Sequence, residues 1–167
     1  MVVFIMLILA GLAFSSTRTV VQPLQLNNAF SRIILMVENA RNLARTGKEN
    51  APAYGFLATI GENSTATVYA DRNGDSLFTE LSEKVEDYPL AGTNYELFST
   101  DIAAPSPLAC TSVRVLFKKS TGDVTMFCND QASTHMRIGV SERTVPGQTP
   151  AQKRFTLHQG SGIPQIE

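Results

Sequence analysis

The chain has 167 residues, which is enough for one domain of ordinary size with an appendage but not for two separate cores. Its 14 basic and 15 acidic residues give a net charge of −1, which argues against a general basic field for binding nucleic acid or an anionic membrane surface. The hydrophobic content of 43% is ordinary, but it is unevenly distributed, because the first 17 residues carry no charge.

The N-terminal stretch MVVFIMLILAGLAF is almost continuously apolar, and the first charged residue is Arg18. A helix over residues 1–17 would rise roughly 25 Å, slightly less than a bilayer hydrocarbon core of about 30 Å. Three interpretations compete: a secretory signal peptide, a buried core helix and a membrane anchor. A signal peptide needs basic residues before its apolar part, and a core helix in a soluble domain keeps a polar face. Neither feature is present, so we predict a membrane anchor over residues 1–17 whose natural beginning lies upstream of Met1.

Residues 18–50 are predicted to continue this helix with one apolar side. Apolar residues recur there at alternating spacings of four and three, at Leu26, Phe30, Ile33, Val37, Ala40 and Ala44. Arg41 and Arg45 suit the last turns because cations complement the helix dipole, and Gly47 is the predicted stop. Pro23 lacks a backbone N–H, so we expect a kink or a break between the apolar and the amphipathic parts.

Residues 51–167 form a β-rich region, because the hydrophobic period changes there from helical to alternating. The strand-like runs are AYGFLATI, TATVYA, NYELFST, SVRVLFKK, DVTMFCN, HMRIGVSER and KRFTLHQ. The segments GENS and STG lie between neighbouring runs and predict two hairpins. We therefore predict an α+β fold in which the amphipathic helix covers one face of a small antiparallel sheet of about five to seven strands.

The stretch ADRNGDSLFTE follows the second predicted strand and raises the question of a calcium site. Asp71, Asn73 and Asp75 alternate like the first oxygen ligands of an EF-hand loop. Such a loop also needs glycine at its sixth position and glutamate at its twelfth, where this chain has Ser76 and Ser82. The sequence thus has about half of the ligands that an EF-hand calcium site needs.

The same stretch is also typical of a turn between two strands. Asn73-Gly74 is a strong turn dipeptide, and neighbouring Asp side chains accept local backbone N–H groups without a metal. Glu80 and Glu83 flank the missing twelfth position and could complete a non-standard site. We interpret the loop as a turn and keep calcium as the alternative, with millimolar affinity expected.

The two cysteines, Cys110 and Cys128, flank the second predicted hairpin and come near opposite positions when counted from its turn. We predict a disulfide if the domain lies outside the cytoplasm, as the anchor implies. If the domain lies in the cytoplasm, we predict two buried thiols instead.

The two histidines, His135 and His158, fall in predicted strands without a nucleophile motif or the spacing of a zinc site. We therefore predict no enzymatic activity.

Three segments carry a resemblance to a known family. MVVFIMLILAGLAF is similar to the apolar segment of type IV pilins and of type II secretion pseudopilins. ARNLARTGK resembles the end of the long helix in minor pseudopilins of the GspH/FimT type, and VYADRNGDSLF resembles their strand and loop. The family's cleavage signal, a basic leader and a glutamate, is not among these residues, which agrees with a start upstream of Met1.

The resemblance implies a helix that begins in the membrane and ends under a β-rich domain. It implies a single pass through the inner membrane with the domain outside the cytoplasm, followed by assembly into a cell-surface or periplasmic filament. The expected partners are other pilins or pseudopilins, which would pack through the N-terminal helix, and no cofactor is implied.

Two other functions remain open in the sequence. A DNA-capturing minor pilin of the FimT type would need clustered cations, for which the candidates are Arg114, Lys118, Lys119, Lys153 and Arg154. We interpret these charges as a solvated sheet edge that discourages strand addition, so nucleic acid is not the expected partner. A membrane-anchored extracytoplasmic calcium-binding module is the other alternative, whereas a hydrolase has no supporting motif.

Overall fold

The computed structural model describes residues 2–47, 51–79, 81–103, 106–119, 121–143 and 149–167, with side chains from residue 23 onward. One helix packs on two antiparallel sheets, so the predicted α+β class is confirmed. In this part of the chain no helix is long and apolar enough to cross a membrane. The predicted anchor over residues 1–17 lies outside the residues whose side chains are described, and it stays a prediction.

Helix α1 runs from Val2 to Thr46 and passes through Pro23 without interruption, so a break at the proline was the wrong expectation. A proline removes one hydrogen bond of the helical ladder, and the bonds on either side of it can hold the helix together. The helix ends as predicted at Gly47, whose φ of 61° is accessible to glycine at little cost. The Gly47 N–H donates to the Leu43 carbonyl at 2.9 Å and closes the helix.

The predicted apolar stripe of α1 is the buried face of the helix. All six stripe residues are at most 5% exposed, namely Leu26, Phe30, Ile33, Val37, Ala40 and Ala44. Leu24 and Leu35, which lie off the stripe, are 55% and 56% exposed. The spacing of apolar residues therefore determined which side of the helix joins the core.

Eleven strands follow the helix among the described residues. They are β1 (Ala53–Thr59), β2 (Thr65–Asp71), β3 (Lys84–Pro89), β4 (Tyr95–Asp101), β5 (Leu108–Ala109), β6 (Ser112–Lys118), β7 (Val124–Cys128), β8 (Gln131–Ser133), β9 (His135–Glu142), β10 (Gln152–His158) and β11 (Gln165–Ile166). A single 3-10 turn, Leu81–Glu83, precedes β3. All seven predicted runs form strands, and both predicted hairpins, β1–β2 and β6–β7, are present.

The strands form two sheets, which corrects the prediction of one small sheet. Sheet A has the order β3-β2-β1-β6-β7-β8, and sheet B has the order β11-β10-β9-β4-β5. Strands β3, β5, β8 and β11 were missed because they are short or carry few apolar residues. Each is an edge strand, as expected for a segment that needs only one pairing partner.

The amphipathic part of α1 contacts both sheets rather than one face of a single sheet. It packs on β1, β2 and β6 of sheet A and on β9 and β10 of sheet B. The Phe30 ring lies 6.0 Å from the Phe155 ring of β10, and Ile33 and Val37 are fully buried. Side chains from the helix and both sheets thus share one continuous core.

Candidate functional site

The loop after β2, which carries the predicted calcium ligands, is held by the carboxylate of Asp71. This side chain is only 1% exposed, and its Oδ1 accepts the Gly74 N–H at 2.8 Å. Its Oδ2 accepts the Ser76 N–H at 3.1 Å. Both φ angles that the turn needs are positive, 76° at Gly74 and 65° at Ser76. Asp71 therefore closes the loop through two backbone amides.

Asn73 and Asp75 make similar local contacts one step further along the loop. The Asn73 Oδ1 accepts the Asp75 N–H at 3.0 Å, and the Asp75 Oδ1 accepts the Leu77 N–H at 2.7 Å. The Asn73 amide also donates to the Asp75 Oδ2 at 3.1 Å. These are the side-chain turns that Asn and Asp form without a metal, so the predicted turn is present.

The rest of the loop folds back over the outer face of sheet A. The Phe78 ring lies 5.5 Å from the Tyr69 ring, and Tyr69 is fully buried over Gly55. A Cβ atom at Gly55 would lie 2.1 Å from the Tyr69 ring, so only glycine leaves room for this contact. Burial raises the pKa of the Tyr69 phenol above its ordinary range.

The predicted ligands lie together, but no group of three His, Cys, Asp or Glu side chains in the described part of the chain could share an ion. Of the two flanking glutamates, Glu83 is 2% exposed and accepts the Thr79 N–H at 3.1 Å, whereas Glu80 lies outside the described residues. Burial raises the pKa of Asp71, and the amides of Gly74 and Ser76 oppose that rise. A cation beside Asp71 would offset the cost of burying its charge.

Calcium at this loop stays a prediction, which thermal unfolding of the full chain can test. For a Kd of about 1 mM, 10 mM CaCl2 should raise the free energy of unfolding by roughly 1.4 kcal/mol. Asp75→Asn should remove this gain, because the exposed Asp75 would supply one of the oxygens. Asp123→Asn, at an exposed turn, is the matched control. A calcium effect that survives in Asp75→Asn, or none in the unsubstituted chain, would rule the loop out as the site.

The two cysteines form the predicted disulfide. Their Cα atoms are 5.3 Å apart, and both side chains are at most 3% exposed. The Cys110 N–H donates to the Ser99 carbonyl of β4 at 3.0 Å, whereas Cys128 belongs to β7 of sheet A. The bridge therefore fixes the chain where it passes from sheet B to sheet A.

The basic residues proposed for nucleic acid are dispersed over the two sheets. The Arg114 Nη2 lies 3.3 Å from the Asp130 carboxylate, and its guanidinium lies over the Phe127 ring at 4.6 Å. The Arg154 Nε lies 2.7 Å from the Glu167 carboxylate in sheet B. Both arginines are therefore partly neutralised by acidic partners.

Lys118 instead lies near Arg41 and Arg45 of α1, and these three residues form a basic cleft. The sequence pattern did not indicate that they lie close together. The basic cleft has a volume of about 590 Å³, and Arg41, Arg45 and Lys118 supply its charges. Ala44 and Phe117 line it as well, and both are buried. In the described part of the chain no carboxylate lies within salt-bridge distance of these three cations. The cleft arises because the β6–β7 hairpin reaches the end of α1, which helix periodicity alone cannot indicate.

No family model, curated protein or solved structure matches this chain. The α+β class follows from the geometry of the chain itself, in which one helix packs on two antiparallel sheets.

Proposed function

We propose that the protein is a structural subunit of a filament, a minor pilin or pseudopilin of a type IV pilus or a type II secretion system. One observation carries this proposal: the charge-free residues 2–17 belong to the same unbroken helix whose apolar stripe is buried in the β-rich domain. Residues 2–17 of this helix rise roughly 24 Å, slightly less than a hydrocarbon core of about 30 Å, and the helix continues from them into the amphipathic part.

The helix gives such a subunit a rigid connection between two environments. A segment without charge on any side suits lipid and also suits a bundle of like helices. The amphipathic part cannot leave the domain without exposing its apolar stripe, so the domain follows the apolar segment from membrane to filament. The partners in this proposal are the membrane first and the helices of other pilins afterwards, with the β-rich domain outside the cytoplasm.

Membrane partitioning of the full chain tests the first step of this proposal. Ile8→Lys combined with Leu12→Lys should move the protein from the carbonate-washed membrane pellet to the soluble fraction. Each lysine costs about 2.5–3.5 kcal/mol near the centre of a membrane helix. The control, Leu24→Lys with Leu35→Lys, adds the same charge at exposed positions and should stay in the pellet. A full chain that is monomeric and soluble without detergent would contradict the proposal.

Assembly is tested separately by crosslinking in the native cell. Both natural cysteines are already bonded to each other, so Ala10→Cys introduces one reactive thiol. Oxidation should link it to a cysteine placed in the apolar segment of another subunit in the sheared filament fraction. A protein that reaches the membrane but never crosslinks in filaments would be an anchored domain rather than a filament subunit.

A second candidate function is the capture of DNA, and the basic cleft is the observation that favours it. Arg41, Arg45 and Lys118 line one opening and lack acidic partners in the described part of the chain. Phosphate contacts of this kind weaken steeply as salt rises. Retention of the full chain on immobilised duplex DNA at 50 mM salt should then be lost in Arg45→Glu with Lys118→Glu but kept in the control Lys153→Glu. Absence of retention at 50 mM salt would remove this candidate.

A further inference from the structure

The only two histidines of the chain, His135 and His158, lie directly opposite each other in sheet B. His135 begins β9 and His158 ends β10, so the antiparallel pairing of the two strands brings them together. Their rings are in contact, with centroids 3.9 Å apart and planes at 86°.

His135 and His158 form a non-hydrogen-bonded pair, the type of cross-strand position in which opposite side chains are closest. The Gln159 N–H donates to the Thr134 carbonyl at 3.0 Å, so the inter-strand bond flanks the two histidines instead of joining them. Opposite residues at such non-hydrogen-bonded positions have Cα atoms only about 4.5 Å apart. The backbone register therefore places the two imidazoles side by side on one face of the sheet.

The side chains of both histidines lie on the outer face of sheet B. Their neighbours along the strands, Met136 and Leu157, are fully buried and point into the core, so the histidines point the other way. Each histidine is partly exposed. A small solute can therefore reach the pair without any opening of the fold.

The charges near the pair are partly balanced. Arg137 lies two residues from His135 on the same face, and its Nε is 3.1 Å from the Glu167 carboxylate. Arg154, further along β10, shares the same carboxylate at 2.7 Å. Thr156, between Arg154 and His158, also donates to it. Glu167 thus reduces the repulsion that the two arginines would exert on a cation.

We propose that His135 and His158 form a binding site for a divalent transition-metal ion that prefers imidazole ligands, such as Cu²⁺, Ni²⁺ or Zn²⁺. Each neutral imidazole donates one nitrogen lone pair at roughly 2.0–2.1 Å, so the two nitrogens must come about 3 Å apart. Rings already in contact need only side-chain rotation to reach that separation, because the strands hold their backbones in place.

The number of ligands determines which metals the pair should favour. No third His, Cys, Asp or Glu joins the pair in the described part of the chain, so water would complete the coordination. A site with two nitrogen ligands should follow the usual order of divalent ions, with Cu²⁺ bound more tightly than Ni²⁺ or Zn²⁺. Hard ions such as Ca²⁺ and Mg²⁺ prefer oxygen and should not bind. This site is therefore chemically distinct from the loop after β2 and independent of the filament proposal.

Titration of the full chain in detergent micelles with Cu²⁺ or Zn²⁺ tests the proposal. We expect one ion per chain and at least about a tenfold loss of affinity in both His135→Asn and His158→Asn. Gln152→Asn, an exposed change at the other end of β10, should keep the full affinity. Equal affinity in the double variant His135→Asn/His158→Asn, or no one-to-one binding below 1 mM metal, would overturn the proposal.

A spectroscopic measurement on the unsubstituted chain does not depend on how the variants fold. With one equivalent of Cu²⁺, the electron paramagnetic resonance spectrum should show hyperfine coupling to two imidazole nitrogens. A spectrum with one coupled nitrogen or none would place the ion elsewhere and overturn the assignment.

Discussion

Ile33→Asp is expected to lower the stability of the β-rich domain severely. Ile33 is fully buried in the stripe of α1 that packs on both sheets, so the substitution places an unpaired carboxylate in the shared core. The loss of apolar contacts and the cost of a buried charge should together exceed about 4 kcal/mol, a large part of the stability of an ordinary domain. Chemical denaturation followed by far-ultraviolet circular dichroism measures this loss.

Leu35→Asp is the matched control, because it makes the same change two residues later at a side chain that is 56% exposed. It should alter the free energy of unfolding by less than about 0.5 kcal/mol. If both variants unfolded at the same denaturant concentration as the unsubstituted chain, the amphipathic part of α1 would not belong to the core.

Replacement of both Cys110 and Cys128 by Ser should lower the free energy of unfolding by about 3 kcal/mol. The bridge joins residues 18 apart in sequence and restricts the unfolded chain over that loop. It also joins the end of the sheet B segment to β7 of sheet A, so its loss should loosen the contact between the sheets. Guanidinium denaturation of the oxidised chain and of the double variant gives the difference.

Reduction of the unsubstituted chain should reproduce the effect of the double substitution, whereas the reductant should not affect the double variant. A reduced chain as stable as the oxidised one would show that the packing of the two sheets holds this region without the bridge.

Calcium binding at the loop after β2 depends on oxygen-bearing side chains that can be recognised in the sequence. The contacts of those side chains cannot be read from the sequence. Asp71, Asn73 and Asp75 are recognisable by their spacing, and the turn dipeptide Asn73-Gly74 is equally visible. The return of Glu83 to the loop depends on how the chain packs over Tyr69. The spacing of residues could therefore identify the loop as a candidate calcium site. It could not show which carboxylate oxygens already accept hydrogen bonds from backbone amides.

The sequence by itself determined the features that arise from local periodicity and local backbone chemistry. These are the buried stripe of α1, the helix end at Gly47, the seven main strands and the two hairpins, because each depends on residues only a few positions apart. It also indicated the partnership of Cys110 and Cys128, since one hairpin separates them.

Only the tertiary structure decided how these elements combine. Edge strands such as β3 and β11 have little apolar signal of their own and form because a neighbouring strand offers its backbone groups. The division into two sheets, the basic cleft at Arg41 and Lys118, and the contact of His135 with His158 all join residues that are distant in sequence. Strand register and helix docking set those contacts, and both depend on the burial of a shared core rather than on local pattern.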